Sequence, residues 1–105
     1  MKSEYQIYMD FKRANDVADE LRSIARSTRG AANQDLQGAL SRIRSSWEGE
    51  NSDAFQMKGE RLRQQVEQLA QDVDRIAAAI EQIATNTYQA EMRAVQIAQQ
   101  SANGS

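Results

Sequence analysis

Ser45-Ser46-Trp47-Glu48-Gly49-Glu50-Asn51-Ser52-Asp53-Ala54-Phe55 lies near the middle of a 105-residue chain and holds its only tryptophan. Gly49 can take positive φ without steric cost and so can stop an incoming helix in a left-handed conformation. Asn51 and Ser52 are suited to N-cap the helix that follows, and Asp53 puts a negative charge in its first turn. The stretch therefore predicts a tight helix-turn-helix reversal. Trp47 is expected to seal the bend by packing on the start of the second helix. A contact with another protein can be superimposed on that role.

Upstream, the apolar positions Ala14, Val17, Ala18, Leu21, Ile24, Ala25, Thr28, Ala31, Ala32, Leu36, Leu40, Ile43 and Trp47 recur at helical spacing. They predict a first helix over about 11–46. Asp10 is its expected N-cap, with Ser3 to Met9 as an extended arm. A competing start is the capping box formed by Ser3 and Gln6. From Thr28 to Leu40 the apolar steps are all four residues, a stutter in the helical repeat. Gly30 and Gly38 each cost about 1 kcal/mol relative to Ala inside a helix. A bend or break is expected at Gly30 to Asp35, unless the glycines serve close approach of a neighbouring helix.

Downstream, Phe55, Gly59, Leu62, Val66, Leu69, Val73, Ile76, Ile80, Ile83, Thr87, Ala90, Ala94 and Ile97 alternate in steps of three and four. This is a sustained coiled-coil seam. It predicts a second helix over about 52–98, after a turn at about 47–51 and before a disordered tail at about 99–105. Asp72 and Arg75 are spaced as an exposed ion pair, worth tenths of a kcal/mol. Ala70, Ala77 and Ala84 form a small-residue row beside the seam; Val17, Ile24 and Ala31 widen the apolar face of the first helix. A two-helix hairpin covers one seam and is marginal alone in water. The fold class expected is all-α, an antiparallel helix-turn-helix hairpin that pairs into a four-helix bundle. The residues expected at the dimer or hairpin seam are Leu21, Ile24, Leu36, Leu40, Ile43, Leu62, Val66, Leu69, Val73, Ile76, Ile80 and Ile83.

A chain of this length is one domain at most. It has no Cys and no His, which excludes disulfides, thiolate nucleophiles and imidazole chemistry. No catalytic residues, metal ligands or cofactors are expected, and no small-molecule substrate. The carboxylates Asp72 and Asp74 do not share a helix face. The net charge of -2 lacks the basic face that nucleic acid would call for. No apolar run reaches membrane-spanning length. Met1 to Gln6 is not followed by the apolar core and small-residue cleavage site of a secretory signal, which by itself suggests the cytoplasm. Binding to other proteins remains as the expected work.

The sequence Trp47-Glu48-Gly49 at the centre of a chain of this length, with Phe55 six residues after the glycine, resembles the WxG hundred-residue (ESAT-like) family of type VII secretion substrates. The resemblance covers nearly the whole chain. It implies the same hairpin and four-helix pairing, with partners that are either a second copy of the chain or a paralogous hairpin. It also implies a secretion ATPase as partner and export without a cleaved signal peptide, after folding in the cytoplasm. The family's signal is Tyr-x-x-x-Asp/Glu. Tyr88 and Glu91 match it in residue type but stand three apart rather than four. On a helix either spacing places both on one face; alternatively, Tyr88 packs on the flank of the seam. A cytoplasmic coiled-coil adaptor with a coincidental Trp-x-Gly turn is the competing function.

Overall fold

The computed structural model describes residues 2–47 and 49–104. Along it run α1 (Glu4–Gly30), a π-helical segment (Ala31–Leu36), α2 (Gln37–Ser46) and α3 (Glu50–Gly104). Among the described residues there is no strand, and no helix is long and apolar enough to cross a membrane. The fold is an antiparallel helical hairpin: α1 to α2 form one arm and α3 the other.

The chain begins its helix earlier than Asp10. The Ser3 hydroxyl accepts the Gln6 backbone N–H at 3.1 Å, and the Gln6 side-chain oxygen accepts the Ser3 N–H at 3.0 Å. This reciprocal capping box satisfies two donors that would otherwise be orphaned. It corrects both the extended arm and the Asp10 cap: Asp10 lies inside α1. The bend or break expected at Gly30 to Asp35 is a change of helix type, from α to π at Ala31 and back at Gln37.

At the reversal, α2 ends at Ser46 and Trp47 is extended, with φ -112° and ψ 137°. Its N–H still bonds the Ile43 carbonyl at 2.8 Å. Gly49 has φ 90°, and its carbonyl accepts the Asp53 N–H at 3.3 Å. Gly49 thus opens α3, and the turn closes sooner than 47–51. Asn51 and Ser52 stand inside the first turn rather than capping it, with Ser52 buried. Glu48 lies outside the described residues. The second helix also outruns its expected end at 98: residues 99–103, read as a disordered tail, are helical, and α3 closes at Gly104. Ser105 lies outside the described residues.

The chain divides into two compact units, Leu21–Arg75 around the turn and Met1–Glu20 with Ile76–Ser105 around the termini. In the turn unit, partners across the arms converge toward the turn: Arg29 with Asp74 at 2.7 Å, Asn33 with Arg63 at 3.0 Å, and the Leu40 carbonyl with Gln56 at 2.8 Å. Its buried side chains are Ala25, Ala32, Leu40, Ala70 and Ser52. In the terminal unit they are Ile7, Ala18, Ala77, Ala84 and Val95. Each unit thus closes its arms largely on small residues. Among the described residues, no large side chain is fully buried.

The expected seam residues divide accordingly. Leu40 is buried; Leu21, Leu36, Ile43, Val66, Val73 and Ile80 are half-buried. Ile24, Leu62, Leu69, Ile76 and Ile83 are exposed.

Candidate functional site

Three features carry the sequence's candidate residues. The first is the turn. Trp47 and Phe55 meet edge to face, with ring centroids 5.6 Å apart at 65°, a favourable aromatic geometry. The extended backbone at Trp47 and the left-handed Gly49 bring the two rings together. Trp47 nonetheless keeps 50% of its surface exposed and Phe55 40%, and neighbouring Met57 is exposed as well. The indole braces the bend with one edge and offers the rest to solvent.

The second is the pair Tyr88 and Glu91 in the terminal unit. Tyr88 is half-buried against Phe11, with centroids 4.9 Å apart at 41°. The Lys2 ammonium donates to Asp10 at 2.9 Å and to Glu91 at 3.3 Å. These bonds, that to Asp10 first, hold Lys2 above its usual lysine range. These two ion pairs of the exposed Lys2 are screened by solvent and contribute little stability. An open apolar groove of about 250 Å³ runs beside it, lined by Ile7, Phe11, Ile80, Ile83 and Tyr88, with Asp10 and Glu91 at the edge. Tyr88 and Glu91 therefore share one place, as their helical spacing requires.

The sequence reading did not assign Lys2 or Phe11 to this place. The signal was available in the Ser3–Gln6 capping box. Accepting it starts the helix early enough for Ile7 and Phe11 to share a face one turn apart.

The third feature is the exposed aliphatic face of each unit. In the turn unit it comprises Ile24, Leu62 and Leu69; in the terminal unit, Val17, Ile76, Ile83 and Ile97. On α3 three of these exposed residues directly precede a buried alanine: Leu69 before Ala70, Ile76 before Ala77, Ile83 before Ala84. Scattered exposed hydrophobics are ordinary on a protein surface, whereas Leu69, Ile76 and Ile83 recur every seven residues along one face of α3.

Among the described residues, no group of three or more carboxylates could hold a metal ion. The chain is thus a small all-α hairpin with a Trp-x-Gly reversal and exposed aliphatics on both arms. The family WXG100, proteins of 100 residues with WXG, matches residues 6–92, and the chain belongs to that family. Its members are small helical proteins of type VII secretion. No curated protein and no solved structure matches the chain significantly.

Proposed function

We propose that the chain is a non-enzymatic substrate or partner protein of a type VII secretion system, working through dimeric pairing of helical hairpins. The observation that carries this reading is the exposure of its larger aliphatics. Ile76 is 53% and Ile83 64% exposed, while the adjoining Ala77 and Ala84 are buried. A hairpin that spends its small residues on itself leaves its large ones for another chain. Four-helix pairing, with a second copy or a paralogous hairpin, covers them. Family membership supports export by the secretion ATPase without a cleaved signal peptide.

Within this reading Tyr88 and Glu91 form the export signal, presented from one face of α3. The turn residues Trp47, Gly49 and Phe55 form the second recognition element, with the exposed part of the indole available to a partner. The test is secretion into culture medium by cells with and without the type VII ATPase. Export is expected only when the ATPase is present. Tyr88→Ala and Glu91→Ala should abolish export while leaving helicity and dimer mass unchanged. ATPase-independent appearance in the medium would defeat the secretion reading. Normal export of both variants would move the signal elsewhere, to another segment or a partner chain.

A further inference from the structure

In the turn unit the buried positions of the first arm are Ala25, Ala32 and Leu40. The first step is seven residues and the second eight. In a straight α-helix a seven-residue step returns a side chain to within about 20° of its starting direction, whereas an eight-residue step leaves it about 80° away. An uninterrupted α-helix would thus turn Leu40 off the second arm once Ala25 and Ala32 are seated. Leu40 is nevertheless only 7% exposed. It sits so close over Gly59 that a Cβ built there would collide with its side chain.

The π-helical segment Ala31–Leu36 lies across this irregular step. A π turn bonds i to i+5 rather than i to i+4, and so holds an extra residue at nearly the same azimuth. Cross-arm bonds stand before, within and after it: Arg29 to Asp74, Asn33 to Arg63, and the Leu40 carbonyl to Gln56. Arg63 is itself fixed by Glu60 at 2.6 Å and Glu67 at 3.3 Å.

We propose that residues 31–36 are a phase-setting device: the segment absorbs the one residue by which the first arm's repeat is over-long, and so aims Leu40 and Trp47 at the second arm. Its consequence is the direction of the Trp47–Gly49 turn. Without the adjustment the last turns of α2 would rotate by about 100°, carrying Trp47 off Phe55. The inference does not depend on whether the chain is exported.

Position-dependent single-residue deletions in the full chain provide the test. Removing Gln34 or Gln37, both exposed, restores a seven-residue step between Ala32 and Leu40. Each variant should keep the parent's helicity, a Tm no lower than the parent's and the near-ultraviolet dichroism of the single tryptophan. Removing exposed Ser41 leaves the eight-residue step in place and displaces Trp47 instead; it should lower Tm and abolish that tryptophan signal. Two deletions serve because loss of local contacts at one site could unfold one of them. If both unfold the chain as thoroughly as loss of Ser41, the proposal is wrong. It is equally wrong if the Ser41 deletion is tolerated.

Discussion

Two neighbouring rows on α3 meet opposite fates. Ala70, Ala77 and Ala84 are buried, while Leu69, Ile76 and Ile83, one residue earlier in each repeat, stay exposed. A helix with heptad spacing offers both rows. Which row closes the hairpin depends on how near the partner backbone comes. Small side chains permit close approach and gain dispersion contacts along the backbones, but bury little apolar area per residue. The larger row, left outside, has more apolar area per residue to bury than the alanine row beside it.

The largest expected effect comes from breaking the outer row. Ile76→Asp adds a charge where the single chain exposes the side chain, so the hairpin itself tolerates it. In an assembly it would bury that charge and lose about 2–3 kcal/mol of apolar burial per chain. Light scattering after size exclusion at micromolar concentration should give twice the chain mass for the parent and the single mass for this variant. A variant that still dimerises would show that the outer row is not the contact. The inner row is broken by Ala77→Leu, which forces the arms apart and should cost about 1–3 kcal/mol by overpacking, read as a lower urea midpoint. A neutral result would mean that close approach at Ala77 is not required.

Glycines sharpen the same contrast at a smaller scale. A Cβ on Gly59 would strike Leu40, whereas a Cβ on Gly30 meets nothing within 4 Å. Gly30→Ala should stabilise by about 0.5–1 kcal/mol through helix propensity alone. At Gly59 the same gain is opposed by overpacking of about 1–3 kcal/mol, so Gly59→Ala should be destabilising. Urea denaturation of the two variants beside the parent should show midpoints moving in opposite directions; shifts of the same sign would remove the close packing assigned to Gly59.

The hairpin was legible in the sequence because its signals are local: the Trp47–Gly49 punctuation and the three-four repeats on both sides. The Gly30 to Asp35 irregularity was also visible as a stutter. Periodicity identifies an apolar face but does not say which row of that face turns inward, since that is set by the approach of the other arm. The early start of α1 stood in the sequence only as the competing alternative, because alternating Tyr5, Ile7 and Met9 permit an extended arm; the Ser3–Gln6 cap wins once Ile7 is buried. The helical continuation past residue 98 runs through a polar stretch without an apolar period to signal it. At the site, helical spacing joined Tyr88 to Glu91. It could not show that Phe11 and Lys2 come from the far end of the chain to meet them.

The smallest expected effect concerns the polar edge beside the small-residue row. Hydrogen bonds from Arg63, at 2.6 to 3.0 Å, hold Glu60 below its usual carboxylate range of about 4.5 and raise Arg63 above its own. A carboxylate with a lower pKa folded than unfolded binds fewer protons when folded, so its contribution is fully present above the unfolded value. The contribution is lost as pH falls through the lower folded value. Arg63 stays charged throughout this range. Lowering the pH from 7 to 3 should therefore reduce the parent's urea midpoint more than that of Glu60→Gln, which has no carboxylate to protonate. Solvent screens the pair, so the difference should be small beside the effects at Ile76 and Ala77. Equal reductions in the two proteins would mean that Arg63 is held through Asn33 and Glu67 alone. The Glu60 contact would then add nothing to the clamp on the π segment.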